Sequence, residues 1–270
     1  MSASDTSDLH VDRAAQSQLP SPSARLNLDE CALLLDIDGT LLDLAPAPRE
    51  VVVPKGLVPT LNGLLERTSG ALALVSGRSL EDIDWMFAPA RYPSIAGHGA
   101  EMRLSIDSEA VASRAPPMNP SLKRRFAAIA QLHPGILVED KGYSIALHYR
   151  KAPQMDAMIH DAVSAIRADL PKAPIEVLPG KRVCEIKPSG VTKATGVREL
   201  MSHEPFRNRR PVFLGDDVTD ETVFAIMPEF DGLSFSVGRE ARGVAGTFAG
   251  PREVRRWLSD VLKGTGAVDH

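Results

Sequence analysis

The sequence predicts an α/β fold, a Rossmann-like parallel-sheet core interrupted by an inserted α+β module. Two observations carry this prediction. At both ends of the chain, short uninterrupted apolar runs alternate with helix-spaced segments, the pattern of a parallel sheet buried on both faces. Between them lie strand-like runs joined by turn residues, the pattern of an antiparallel sheet with helices to one side.

The first apolar run, Cys31 to Leu35, ends in Asp36. Leu57, Leu61, Leu64 and Leu65 then recur at helical spacing over 57–68, and Gly70 supplies a stop. Ala71 to Val75 reads as a second buried strand, followed by Ser76-Gly77-Arg78. A helix starts at Ser79, with Glu81 and Asp82 in the first turn, where the helix dipole favours acids. The segment Ala115-Pro116-Pro117-Met118-Asn119-Pro120 breaks this pattern. Beyond it lie a helix near 121–132, strand-like runs at 136–139 and 143–149 joined by Asp140-Lys141-Gly142, and a helix over 153–169. Two more strand-like runs, 175–178 and 182–187, are split by Pro179-Gly180. After Pro188 the α/β pattern resumes: a helix over 193–201, a strand over 211–215, a helix near 219–227, a strand near 233–237 and a helix over 251–262. The expected organisation is a leader at 1–27, a core of 28–102 and 189–263, an inserted cap at 103–188, and a tail at 264–270.

Composition narrows the function. With 270 residues, 43% hydrophobic and 24% charged, the chain has the make-up of a globular protein. A net charge of -4 favours neither nucleic acid nor an anionic membrane as partner. The basic clusters Lys123-Arg124-Arg125 and Arg207/Arg209/Arg210 read as solvated faces. No apolar run approaches the roughly 18 residues of a membrane helix. The leader lacks the apolar core of a secretory signal, and Cys31 and Cys184 fall in apolar runs that suit buried free thiols. Together these features predict a cytoplasmic protein.

Ligands of an open parallel sheet bind beyond the carboxyl ends of its strands. Three strands end there in Asp36-Ile37-Asp38-Gly39-Thr40, Ser76-Gly77-Arg78, and Gly215-Asp216-Asp217-Val218-Thr219-Asp220-Glu221. Carboxylates gathered at one edge repel one another unless a cation compensates, and hard oxygen ligands point to Mg²⁺ rather than zinc. Asp36 alone reads equally as a turn acid. Asp217 reads as an orienting residue or a helix cap, and Asp220 and Glu221 as site acids or first-turn helix acids.

Asp36-Ile37-Asp38-Gly39-Thr40-Leu41, Ser76, Lys193 and Gly215-Asp216-Asp217 resemble the four ordered motifs of the haloacid dehalogenase (HAD) phosphatases over about residues 29–262. The resemblance implies Asp36 as nucleophile and Asp38 as general acid and base. It implies Ser76, the Gly77 amide and Lys193 on the phosphoryl oxygens, and Mg²⁺ on Asp36, the Asp38 carbonyl and Asp216. Arg78 reads either as a phosphate contact or as a structural ion pair. Ala194 stands where the superfamily usually has glycine.

Further strings resemble the trehalose-6-phosphate phosphatase family: Gly97-His98-Gly99-Ala100-Glu101, Glu139 to Arg150, Gly180-Lys181, Glu185-Ile186-Lys187-Pro188, and the Gly-Asp-Asp-x-Thr-Asp-Glu form of the last motif. They imply a small-molecule sugar phosphate, trehalose 6-phosphate, with hydroxyl contacts from Glu139, Lys141 and Glu185, then Arg150 and Lys181. By position alone Lys141 reads as an exposed hairpin-turn lysine, and His148 as a packing or sheet residue. His98 reads as a ligand contact or a hinge; Trp85, Met86 and Trp257 read as packing. The rival readings are a phosphatase for sucrose 6-phosphate or a hexose phosphate, and a catalytically silent sugar-phosphate sensor.

Overall fold

The computed structural model describes residues 26–45, 50–108, 115–180 and 182–264. The predicted leader up to residue 25, the tail from 265 and Lys181 lie outside the described residues.

A seven-stranded sheet forms the larger layer. Its strands are β1 (Cys31–Leu35), β2 (Leu72–Val75), β3 (Ser94–Ala96) and β4 (Glu101–Arg103) from the first half. A smaller sheet follows in sequence with β5 (Leu137–Asp140), β6 (Ile145–His148), β7 (Ile175–Gly180) and β8 (Val183–Pro188). The large sheet is then completed by β9 (Arg210–Gly215), β10 (Leu233–Val237) and β11 (Gly246–Phe248). Its order is β11-β10-β9-β1-β2-β3-β4, parallel throughout except for the antiparallel β3–β4 pair. The chain leaves β1 toward β2 on one side and later returns to β9 on the other. The end of β1 is therefore the topological switch point, where such sheets form their crevice.

Helices α1 (Leu57–Arg67), α2 (Leu80–Phe87) and α7 (Pro251–Lys263) contribute to one hydrophobic cluster with Leu33, Leu35, Leu61, Leu64, Ile83 and Leu258. Helices α5 (Lys193–Leu200) and α6 (Val218–Phe224) contribute to a second with Ala32, Leu34, Val197, Leu200 and Val223. Successive residues of β1 thus alternate between clusters, because strand side chains point to opposite faces. Each fully buried leucine here contributes about 1.5–3 kcal/mol of transfer free energy.

The small sheet, ordered β5-β6-β8-β7, is antiparallel throughout. Helices α3 (Pro120–Ala127) and α4 (Asp156–Ala168) give Leu122, Phe126, Ile159 and Val163 to a cluster with Ile145, Leu147, Cys184 and Ile186. The alternate residues Ala146, His148, Val183 and Glu185 line a cleft shared with the large sheet.

Local chemistry explains the element ends. Ser79 Oγ accepts from the Asp82 amide to start α2, Pro120 opens α3 behind the Asn119 cap, and Thr192 with Thr195 forms a capping box for α5. The expected helix over 121–132 is α3 followed by a 3₁₀ turn at Ala128–Leu132. The strands β3, β4 and β11, three residues each, carry too short a pattern to be read from sequence. Arg103 lies in β4 of the large sheet, so the connection to the small sheet begins after it. One packing expectation fails: Trp85 is 55% exposed, because it sits on the outward side of the short helix α2. Met86 and Trp257 pack against the first cluster as expected, and both cysteines are buried free thiols.

Candidate active site

Asp36 follows β1 at the switch point and is 4% exposed. Lys193, the first residue of α5, is also buried, and its Nζ donates to Asp36 Oδ1 and to Asp220 Oδ1, each at 2.7 Å. Among the described residues, Asp36 Oδ2 is buried without a hydrogen-bond partner, an uncommon condition that costs free energy unless a ligand supplies the contact. Asp36, Asp216 and Asp220 each bring a carboxylate oxygen within 4.8 Å of the others.

These three acids are not equivalent. Asp220 is fully buried, and both of its oxygens are engaged: Oδ1 by Lys193 and Oδ2 by the amides of Asp216 and Asp217. It therefore acts as an internal strut joining Lys193 to the β9–α6 turn. Its position in α6 agrees with the first-turn reading, yet its side chain points into the site. Asp217 is the N-cap of α6, and Glu221 pairs with Arg239 at 2.8 Å. That leaves Asp36 and Asp216 as the side chains suited to hold a hard cation, and an all-oxygen set with an orphaned Asp36 oxygen fits Mg²⁺.

Gly39 makes this close approach possible. Its φ is +85°, and a Cβ there would lie 2.1 Å from Asp216 Oδ2. The chain must turn sharply after Asp38 while Asp216 packs against it, which only glycine allows.

Asp38 faces Arg78, with Arg78 Nε–Oδ2 at 2.6 Å and Nη2–Oδ1 at 2.7 Å. The arginine thus forms the ion pair, and it also lines the cleft. Ser76 is buried at the end of β2, and its Oγ accepts from the Arg78 amide at 3.2 Å. The cleft, about 210 Å³, brings together Asp36, Asp38, Ser76, Gly77, Lys193 and Asp216 from the large sheet with Glu139, Lys141, Arg150 and Glu185 from the small one.

Lys141 departs from its reading by position. It is a buried side chain, 9% exposed, whose Nζ donates to Gly77 O at 3.0 Å and meets Glu185 Oε1 at 3.3 Å. The hairpin turn holds it away from solvent because the turn inserts into the cleft; no feature of a turn sequence reports that. His148 Nε2 lies 2.8 Å from Glu139 Oε2, and His98 Nε2 lies 3.3 Å from Glu185 Oε2. Arg150 Nη1 donates to Ala45 O at 2.5 Å, and Tyr143 Oη donates to Glu101 Oε1 at 2.7 Å. Four of these contacts (Lys141–Gly77, Arg150–Ala45, Tyr143–Glu101 and His98–Glu185) link the part of the chain that carries the small sheet to the part that carries the large one.

Electrostatics follow from burial and pairing. Burial raises the Asp36 carboxyl well above its usual range, Lys193 opposes this, and Asp220 and Asp216 reinforce it. Burial pulls Lys193 down, but Asp220 and Asp36 outweigh it and its ammonium is held well above the ordinary lysine value. For Glu185, burial pushes upward, yet Lys141, His98 and Ser144 hold the carboxylate far below the usual range. The hydrogen bond from His148 lowers Glu139. Burial depresses His98.

Ala45, Asp82, His98 and Thr219 also line the cleft. In sequence His98 stood out between two glycines, Asp82 only as a first-turn helix acid and Thr219 only within the last motif; Ala45 contributes through its backbone, which leaves no side-chain signal.

A buried aspartate at the switch point, a lysine bridging it to a second acid, and an Asp two residues on define a phosphatase of the HAD class. Comparison with known proteins narrows the class. The sequence model of the trehalose-phosphatase family matches residues 34–247. The trehalose-6-phosphate phosphatase of Escherichia coli (strain K12) is 36% identical over 227 residues, 84% of this chain and 85% of that protein. A Sinorhizobium fredii protein described as "Probable trehalose-phosphate phosphatase" is 39% identical over 213 residues, covering 78% of this chain and 79% of its own. In fold, the C-terminal domain of the Candida albicans trehalose-6-phosphate phosphatase superposes with a TM-score of 0.76 at 23% identity, over 89% of this chain and 93% of that domain. The chain belongs to the trehalose-phosphatase family. Among the described residues, no helix is long and apolar enough to cross a membrane.

Proposed function

We propose that the protein hydrolyses trehalose 6-phosphate to trehalose and phosphate through a phosphoryl-aspartate on Asp36. The observation that supports this most is the buried Asp36 itself, bonded through Oδ1 to Lys193 and, among the described residues, leaving Oδ2 without a partner beside the cleft. Its family membership supports the substrate.

In the first step Asp36 attacks phosphorus and the bond from phosphorus to the sugar oxygen breaks. Asp38 gives its proton to that oxygen as trehalose leaves. In the second step water attacks phosphorus, Asp38 takes the proton, and the Asp36 carboxylate is restored with release of phosphate. Ser76, the Gly77 amide and Lys193 hold the phosphoryl oxygens, and Lys193 offsets the charge gathered by nucleophile and phosphate. Asp36, the Asp38 carbonyl and Asp216 would hold Mg²⁺, which would supply charge neutralisation between two anions that otherwise repel. Arg78 must share Asp38 with the leaving oxygen, so we assign it to orienting that carboxyl.

The segment that follows Arg103, up to Pro188, serves as the cap, with Glu139, Lys141 and Glu185 presenting acceptors and a donor to sugar hydroxyls, Arg150 at the margin, and Lys181 as a further contact read from sequence. A disaccharide rich in hydroxyls suits such a polar roof. A cap of this kind would open for substrate and close to exclude water, and contacts such as Lys141–Gly77 support that reading. Two buried free thiols suit the reducing cytoplasm.

The test is phosphate release from trehalose 6-phosphate, sucrose 6-phosphate and hexose phosphates, with Mg²⁺ and with chelator. The proposal expects preference for trehalose 6-phosphate and loss of turnover on chelation. Preference for a monosaccharide phosphate would overturn the substrate, and binding without turnover would make the protein a sensor.

A further inference from the structure

The dipeptide Asp216-Asp217, at the end of β9, has its whole backbone held by charged groups. Both amides donate to Asp220 Oδ2, each at 3.0 Å. Both carbonyls accept from a single guanidinium: Arg239 Nε donates to Asp216 O at 2.7 Å, and Nη2 to Asp217 O at 2.9 Å. The third nitrogen, Nη1, lies 2.8 Å from Glu221 Oε1. One acid thus holds the donors of this turn from inside, and one arginine holds its acceptors from outside.

Arg239 lies two residues past the end of β10. Gly238 has φ +71°, and its amide is bonded to Phe248 O at 2.8 Å, which fixes the bend that aims Arg239 back at β9. Arg239 does not line the substrate cleft; it borders a separate cavity with Gly39, Asp43 and Asp216 on the large-sheet side. Its side-chain bonds run to the Asp216 and Asp217 carbonyls and to Glu221, so its influence on the site would pass through the backbone of Asp216.

Asp216 has little freedom to spare. Its carboxylate packs against Gly39 so closely that a Cβ would collide with it. Mg²⁺ accepts only near-ideal octahedral geometry, so rotation of the Asp216 peptide by a few tenths of an ångström at the carboxylate weakens the site. Outer groups that orient ligands in this way change metal affinity by about 10–100-fold when removed.

We propose that Arg239, itself oriented by Glu221, is a positioning residue that fixes Asp216 for cation binding. This rests on the reading of Asp216 as a Mg²⁺ ligand. It also gives Glu221, read from sequence as a site acid or a first-turn acid, a place in the site at one remove.

The test compares the full chain with Arg239→Ala, Arg239→Lys and Glu221→Gln. Melting temperature is followed as Mg²⁺ alone is titrated, and phosphate release is followed against Mg²⁺ in parallel. In Arg239→Ala the Mg²⁺ concentration for half-maximal stabilisation rises about tenfold. It rises less in Arg239→Lys, whose single ammonium cannot span two carbonyls and a carboxylate, and less in Glu221→Gln. At saturating Mg²⁺ the KM for the sugar phosphate stays at the wild-type value and kcat recovers. If Arg239→Ala does not fold, the other two variants decide. Wild-type Mg²⁺ titrations in the variants, or a raised KM with no change in Mg²⁺ response, overturn this inference alone. A wild-type chain indifferent to Mg²⁺ overturns the metal reading and this inference with it.

Discussion

Replacing Lys193 with methionine removes one ammonium while nearly preserving its length and packing. The two bonds lost, each 2.7 Å, run to Asp36 and Asp220 inside a region where the lysine is 3% exposed. Hydrogen bonds between charged groups contribute roughly 1.5–3 kcal/mol each, and removing one partner of a buried ion pair costs about 3–5 kcal/mol. Three carboxylates, Asp36, Asp216 and Asp220, then remain with oxygens within 4.8 Å of one another. At about 2–4 °C per kcal/mol for a chain of this size, Lys193→Met should melt roughly 6–20 °C below wild type without Mg²⁺. Added Mg²⁺ should recover part of that gap, because a cation among the same acids replaces some of the lost charge. Turnover at saturating Mg²⁺ should still fall about 10²–10³-fold, since the ammonium also offsets charge that develops on the phosphoryl group. The assay is a thermal melt with and without Mg²⁺ beside phosphate release. Melting equal to wild type without metal, or turnover within tenfold of wild type, would refute the role assigned to the bridge.

Three further outcomes follow from the geometry. Asp38→Asn should lower kcat by about 10²–10⁴-fold while substrate affinity changes little, measured by steady-state kinetics and direct titration. Glu185 is held far below its reference value of 4.5, so its ionised form stabilises the fold above pH 4.5, and that contribution is lost as pH falls through the lower folded value. The melting gap between wild type and Glu185→Gln should therefore be constant near neutral pH and shrink below pH 4.5; a gap that widens on acidification contradicts the pairing. Gly39→Ala should cost at least about 1–3 kcal/mol from backbone strain at φ +85° alone. It should also raise the Mg²⁺ requirement by displacing Asp216, which a metal titration of the melting temperature reads directly.

Much of the fold was legible because long, strongly patterned segments report their environment. Cys31 to Leu35 is apolar at every position and is buried at every position, as a central parallel strand must be. The strands Ser94–Ala96 and Gly246–Phe248 escaped because three residues cannot show a period, and their pairing depends on neighbours distant in sequence. The acids of the site were legible as strand-end residues, but their division of labour was not. Asp220 has the sequence of a first-turn helix acid, and only folding shows that it reaches back to Lys193 and to two amides. Lys141 was legible by family likeness and misplaced by local reasoning, because a turn lysine becomes buried only when its turn docks against Gly77. Arg239 gave no signal, since it lies beyond β10 and acts through carbonyl groups that every residue possesses.

The central claim is that Asp36 becomes covalently phosphorylated during turnover. Its most direct test is to react the Asp38→Asn enzyme with trehalose 6-phosphate and Mg²⁺, quench in acid, and map the chain by mass spectrometry. The account predicts a phosphoryl increment on the peptide from β1 that carries Asp36, absent from the Asp36→Asn,Asp38→Asn double variant. Inversion of configuration at phosphorus during wild-type turnover, in place of the retention that two displacements require, would contradict it.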